Sequence, residues 1–389
     1  MSADTTAPDS SATRVLTPGK AWGLRRCADK RGVFKMVATD QRPPIIKMVQ
    51  DHHGIAEPLA SEEGYAKIAE IKELLIKETC DDATAMLLDP IWGYPGAHQH
   101  LHPDRGLLIT LEEHTTEDDA ATKARRSRNI AGWDVAKIKR AGADGVKLLA
   151  YYRPDAPEEV CMHQQRFVEA IGTACRAHDI CFLFELLVYP LTADAEDEAA
   201  FAAKRPQLVV DSVKAFADPK FGIDVFKLES PIPASQIDAP DKPEIQRWFD
   251  DLGAVCPVPW VMLSAGASME QFRNVLTYAY KAGASGFLAG RAIWLGAMKH
   301  YPDIEKARAE LQEEGQPYMR SINELTEQSA QPWHAHSAYG GTNPATTLST
   351  SAWDQHYNPR AYQPIAAGQT GYVHSGSAVA VSNDSCVVQ

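Results

Sequence analysis

Short apolar runs separated by amphipathic stretches recur along most of the chain. Eight runs read as strands: 33–40, 84–89, 106–112, 144–151, 180–188, 223–229, 259–265 and 285–290. Between most of them the apolar positions recur with a helical period, predicting helices at 64–78, 133–141, 158–178, 206–217, 245–252 and 269–282. Near-continuous apolar strands alternating with helices predict a parallel sheet covered by helices. Eight such units over roughly 300 residues fit a closed (β/α)8 TIM barrel. An open doubly wound sheet is the alternative, but no G-x-G-x-x-G turn follows the first run.

The pattern fails at both ends. Residues 1–30 are polar and predict a loosely attached N-terminal arm, leaving 31–330 as the barrel. Beyond it, 331–389 is rich in Ser, Thr, Gly, Pro, Tyr and His, with Arg360 its only Lys or Arg, and predicts a long irregular C-terminal tail. Its aromatics (Trp333, Tyr339, Trp353, Tyr357, Tyr362 and Tyr372) are numerous for a solvated linker. Wrapping of the barrel or of a second subunit stands beside disorder as a reading of this segment.

Composition narrows the function classes. With 44% hydrophobic and 23% charged residues the chain reads as soluble and globular. A net charge of −12 argues against nucleic acid and anionic membrane as partners, so a phosphorylated substrate would need focused local positive charge. Cysteines at 27, 80, 161, 175, 181, 256 and 386 are odd in number and form no C-x-x-C pair. Reduced thiols in a cytoplasmic protein are therefore expected. No run is long enough for a membrane span, and the N-terminus lacks an apolar signal core. Cys386-Val387-Val388-Gln389 matches a prenylation box in form, but nothing polybasic precedes it, and a four-residue match arises by chance.

Chemistry concentrates at the strand ends, where a barrel of this kind carries its active site. Lys227 lies inside the apolar run I-D-V-F-K-L-E-S-P. An ammonium buried there loses hydration and tends toward a neutral, nucleophilic amine. By alternation Val225, Lys227 and Glu229 share one face, with Phe226 and Leu228 on the other. Facing a barrel interior, Lys227 would be a Schiff-base candidate; the bland alternatives are snorkelling at a strand end or neutralisation by Glu229. Lys147 lies in strand four and Glu185 in strand five. A protonated Lys147 near Lys227 would favour the neutral nucleophile by like-charge repulsion, and Glu185 could exchange protons with a substrate hydroxyl. Its bland reading is a salt bridge to either lysine.

Asp40, Gln41 and Arg42 close strand one, Asp89 closes strand two, and Glu112 and Glu113 close strand three. Ser264, Ala265 and Gly266 end strand seven, and Gly290 and Arg291 end strand eight. These last two turns offer backbone amides before helix N-termini, with Arg291 able to add bidentate hydrogen bonds to a phosphate. His98, His100 and His102 alternate in H-Q-H-L-H and could bind a divalent metal, but no fourth ligand is apparent nearby.

Taken together these residues resemble the class I tagatose-1,6-bisphosphate aldolase family, which includes the sulfofructose-phosphate aldolases. The similarity spans roughly 33–300, on T-D-Q-R (39–42), L-L-D-P (87–90), G-V-K-L-L-A-Y-Y (145–152), F-E-L-L-V-Y (184–189), D-V-F-K-L-E-S-P (224–231), P-W-V-M-L-S-A-G (259–266) and A-G-A-S-G-F-L-A-G-R-A-I-W (282–294). It implies a Schiff-base aldolase without metal or other cofactor, acting on a phosphorylated ketose. The family's Schiff-base lysine falls on Lys227, its acid–base glutamate on Glu185 and a further site lysine on Lys147. The family's substrate-binding D-Q motif falls on Asp40 and Gln41, and its phosphate site on Ser264, Gly266, Gly290 and Arg291; Arg42, next in the chain, is expected as a further substrate contact. Pro43-Pro44 depart from the small residues usual in tagatose-type members and 282–294 looks nearer the sulfosugar branch, whereas G-V-K-L-L-A-Y-Y and the strand-five motif look nearer the tagatose branch, and the tail matches neither. Tagatose-, fructose- and sulfofructose-type substrates, C4 stereochemistry and subunit number, homo-oligomers included, therefore stay open. So do a sugar-phosphate-sensing regulator and a histidine-dependent metal aldolase.

Overall fold

The computed structural model describes Arg14 and residues 16–339, apart from 56 and 196. Eight parallel strands close into a barrel: β1 Phe34–Ala38, β2 Ala85–Leu88, β3 Gly106–Thr110, β4 Gly145–Tyr151, β5 Cys181–Leu187, β6 Val225–Leu228, β7 Trp260–Met262 and β8 Gly286–Ala289. Each strand pairs with its neighbours in sequence, and β1 closes the ring by pairing with β8 as well as β2. All eight predicted strands are present, so the TIM barrel stands and the open sheet does not.

Alternation along the strands sorts the apolar residues into two cores. Met36, Leu87, Leu108, Leu183, Val225, Val261 and Leu288 pack together inside the barrel. Val37, Met86, Ile109, Phe184, Phe226, Leu228 and Met262 face outward against the helices. The parity expected around Lys227 is therefore observed. Helix ends follow local chemistry. Ser61 caps Glu62–Thr79 by accepting from Gly64 N, and Ser268 with Gln271 makes a reciprocal capping box on Met269–Lys281.

The boundaries differ from expectation in four places. The helix expected at 206–217 spans Glu198–Ala215 with Pro206 inside it, because Asp197, accepting from Ala200 N, sets an earlier start than a proline breaker suggests. β7 stops at Met262 because Ala265 and Gly266 adopt φ of 48° and 80°, outside the strand region. A short antiparallel ribbon, Glu117–Asp118 with Arg125–Arg126, follows β3. Helices over Ile304–Glu310 and Gln316–Ser329 complete the shell.

The N-terminal segment is not a loose arm throughout. Pro18–Cys27 is a helix whose Ala21, Leu24 and Cys27 join the interior cluster at the lower end of the barrel. Lys20 pairs with Asp224 at 2.6 Å and Arg26 with Asp144 at 3.0 Å, so charges that made the stretch look solvated are buried or half-buried pairs. Of the tail, Trp333 and Tyr339 pack in the same cluster, ring to ring at 5.5 Å. Trp353, Tyr357, Arg360, Tyr362, Tyr372 and the Cys386 box lie outside the described residues.

Candidate active site

Five charged side chains from five strands or strand ends meet inside the upper barrel. β4, β5 and β6 are adjacent, and their register sets Glu185 beside Lys227. Lys227 Nζ lies 2.9 Å from Glu185 Oε2, and the same oxygen lies 3.1 Å from Lys147 Nζ. Lys147 also donates to Asp40 Oδ2 at 2.9 Å and to Glu112 Oε1 at 2.5 Å. Lys147 is 2% exposed and Lys227 3%, so neither lysine snorkels to solvent.

The two lysines have different surroundings. Burial works against charge on Lys147, but the Asp40, Glu112 and Glu185 carboxylates outweigh it and hold its pKa well above the usual lysine value. Asp40 mirrors this: burial pushes its carboxyl up, and the Lys147 and Lys227 charges bring it well below the usual range. Lys147 is thus a fixed cation inside a ring of three carboxylates rather than an isolated charge. The neutralisation by Glu229 weighed from the sequence is absent. Glu229 accepts from Val188 N at 2.6 Å and pairs with Arg205, while burial raises its pKa.

Glu112, although visible at the end of strand three, was not among the expected site residues. Its Oε2 accepts from Leu149 N at 3.0 Å while Oε1 holds Lys147, so it orients the cation. The signal was an acid at a strand end two positions after an inward threonine. A second missed element supports the D-Q turn. Lys72, fully buried on the helix Glu62–Thr79, donates to Thr39 O and, at 2.7 Å, to Gln41 O. It also lies 3.0 Å from Asp89 Oδ2, and Asp89 Oδ1 accepts from Ile91 N and Trp92 N. A lysine inside a helix period reads as surface, so only a full contact map exposes this role.

Arg42 reaches the carboxylate that holds Lys147, its Nη2 lying 3.9 Å from Glu112 Oε1. Its Nη2 donates to Glu112 O at 2.8 Å, and its Nη1 lies 3.7 Å from Glu113, so it braces the β3 end from 3% exposure. Gln41 lies against β8: a methyl group added to Gly290 would sit 2.8 Å from Gln41 Nε2 and 2.5 Å from Ala38 O. The small residue at 290 thus lets the first and last strand ends touch. Gly290→Ala is expected to destabilise by about 1–3 kcal/mol and to raise KM by displacing Gln41. Urea unfolding with steady-state kinetics checks this, and unchanged values for both would refute the contact.

Loops seven and eight meet at Gly266 and Arg291. Ser264 to Ala267 form a turn closed by Ala267 N donating to Ser264 O at 2.8 Å. A methyl on Gly266 would lie 3.4 Å from Arg291 Cζ, so that guanidinium sits directly over the turn. No described residue accepts a hydrogen bond or ion pair from it. Beside the turn is a cavity of about 300 Å³ lined by Ser230, Ser264, Gly266 and Gln271. The helix after strand eight, Arg291–Trp294, is a single turn, so its dipole adds little beyond the arginine.

The histidines lie apart from this cluster. His100 Nε2 contacts Glu73 Oε1 at 3.0 Å, His102 Nδ1 contacts Asp104 at 2.5 Å, and His98 stacks on Tyr94.

A family model described as DeoC/LacD family aldolase matches residues 45–296. The chain belongs to that family. It is 34% identical over 332 residues to tagatose 1,6-diphosphate aldolase 1 of Streptococcus mutans, covering 82% of this chain and 99% of that one. It is 33% identical over 330 residues to tagatose 1,6-diphosphate aldolase of Lactococcus lactis, covering 82% and 98%. A fructose-bisphosphate aldolase structure from Plasmodium falciparum shares the fold with a TM-score of 0.57 at 14% identity, over 82% of this chain and 99% of that one. The resemblance carried by the strand-end motifs is therefore borne out, and with it the aldolase class.

Proposed function

We propose that this chain is a Schiff-base aldolase that cleaves a ketose 1,6-bisphosphate, such as D-tagatose 1,6-bisphosphate, into dihydroxyacetone phosphate and glyceraldehyde 3-phosphate. The observation that carries the reading is the chain Lys227–Glu185–Lys147, with one carboxylate oxygen shared between two buried amines. Names of relatives at 34% and 33% identity support the ketose bisphosphate.

The chemistry follows from the contacts. Lys227 Nζ must shed its proton before it attacks, and Glu185 Oε2 is the neighbouring acceptor. The free amine adds to the C2 carbonyl, and loss of water leaves an iminium ion. That cation draws the C3–C4 bonding pair, so the bond breaks once the C4 hydroxyl gives its proton to Glu185. Glyceraldehyde 3-phosphate departs, leaving an enamine on Lys227. Protonation at C3 and addition of water to the resulting iminium then release dihydroxyacetone phosphate and restore the amine. Lys147, held charged by three carboxylates, polarises substrate hydroxyls without surrendering its proton. Asp40 and Gln41 line the sugar from β1, and Ser264, Gly266, Gly290 and Arg291 hold the 1-phosphate. Arg42 supports the β3 end. The described cysteines are free thiols, which suits a cytoplasmic setting.

Cleavage rates on tagatose 1,6-bisphosphate, fructose 1,6-bisphosphate and sulfofructose 1-phosphate, each in excess chelator, test this reading. Turnover of at least one with release of dihydroxyacetone phosphate is expected. Silence on all three, or activity abolished by chelator, would overturn it.

A further inference from the structure

The ribbon after β3 places an arginine at the mouth of the barrel that the proposed chemistry leaves unused. Arg125 Cζ lies 4.3 Å from the Tyr151 ring centroid and 5.1 Å from that of Tyr189. The two rings meet edge to face at 5.8 Å, and Arg125 N donates to Tyr189 Oη at 3.1 Å. Tyr151 follows Lys147 by four residues on β4, which keeps inward parity, and Tyr189 lies two residues past the end of β5. At a rise of about 3.3 Å per residue and a tilt of about 36° to the barrel axis, four residues set the Tyr151 backbone about 11 Å nearer the mouth than that of Lys147. In the ring of strands β4 stands four places from β8 in either direction, so the clamp lies across the mouth from Arg291.

The side chain is held but its hydrogen-bonding capacity is not spent. No described residue accepts a hydrogen bond or ion pair from the Arg125 guanidinium. Acids around it are committed elsewhere. Asp118, its cross-ribbon partner, accepts from Thr116 at 2.6 Å, Glu117 pairs with Arg128 at 3.2 Å, and Glu159 pairs with Arg126 at 2.8 Å. The ribbon itself is fixed: Ser127 N donates to Gln164 Oε1 at 2.8 Å, and Gln164 Nε2 donates to Tyr151 O at 2.7 Å. At its tip Thr192 N donates to Thr122 O at 3.0 Å. Aromatic faces satisfy the guanidinium plane while leaving its edge of N–H donors open, the arrangement that recognises a tetrahedral oxyanion.

We propose that Arg125, clamped by Tyr151 and Tyr189, binds the anionic group at the far end of the ketose, a 6-phosphate or a sulfonate in its place. The assignment rests on the aldolase reading and extends it, because it makes the far anion a determinant of substrate choice. Arg125→Met and Arg125→Lys are compared with the native chain on a ketose 1,6-bisphosphate, on sulfofructose 1-phosphate and on a ketose 1-phosphate lacking any far anion. Arg125→Met is expected to lower kcat/KM on a far-anion substrate by about 10- to 100-fold, through KM, because charge-assisted hydrogen bonds are lost. Its rate on the 1-phosphate should stay within about twofold of native, and Arg125→Lys should fall between the two. The larger loss, on phosphate or on sulfonate, identifies the anion. An equal loss on all three ketoses, or none, overturns this assignment alone. Absence of turnover of every ketose by the native chain overturns the aldolase reading and this inference with it.

Discussion

Replacing Lys227 with methionine is expected to lower kcat by on the order of 10⁴-fold or more, because removal of a covalent nucleophile forfeits the whole route rather than one contact in it. The substitution keeps the side chain's volume and apolar stem, and among the described residues Lys227 has only Glu185 as its ion-pair partner. Glu185 keeps Lys147 at 3.1 Å, so its carboxylate is not stranded. The fold should therefore survive, and substrate affinity, measured by equilibrium binding, should change by much less than kcat. A variant that retained more than about a tenth of native kcat would remove Lys227 from the chemistry.

Lys147→Met should behave in the opposite way, as a stability lesion as well as a catalytic one. Three carboxylates converge on this ammonium, and Asp40 and Glu112 lose their closest cation with it. Stranding buried charge of this kind costs about 3–5 kcal/mol. The sign of the pH dependence follows from linkage. In the native protein the Lys147 pKa is raised, so its stabilisation is fully present below about 10.4, the unfolded lysine value, and is lost only as pH rises through the folded one. The depressed pKa of Asp40 contributes above about 3.9 and fails only in stronger acid. Neither titrates between pH 5 and pH 8 in the native protein. In the variant Asp40 loses the Lys147 charge that offsets its burial, so its carboxyl moves up and acid relieves part of the penalty by protonating it. Urea unfolding at both pH values should show the variant's deficit shrinking from pH 8 to pH 5. A deficit below about 1 kcal/mol at both would show that the ring of carboxylates does not depend on Lys147.

Much of this was legible in the sequence because a parallel barrel writes its plan locally. Each strand is an apolar run, each run ends in a polar residue, and parity places Lys227, Lys147 and Glu185 on the inward face. What stayed hidden depends on contacts between segments far apart in the chain. Lys72 holds two carbonyls 33 and 31 positions away. Arg42, expected as a ligand contact beside Asp40 and Gln41, also donates to Glu112 O, 70 residues on, a contact no local pattern reveals. The helix Pro18–Cys27 reads as polar because its lysine and arginines dominate, although its apolar side plugs the barrel. Arg125 sits in a polar loop with no periodicity, and only the fold brings it between Tyr151 and Tyr189.

Borohydride reduction in the presence of substrate, followed by peptide mapping, tests the central claim most directly. A secondary amine carrying the triose phosphate skeleton should appear on the peptide containing Lys227 and be missing from the Lys227→Met variant. An adduct on Lys147, or an undiminished adduct in that variant, would contradict the account.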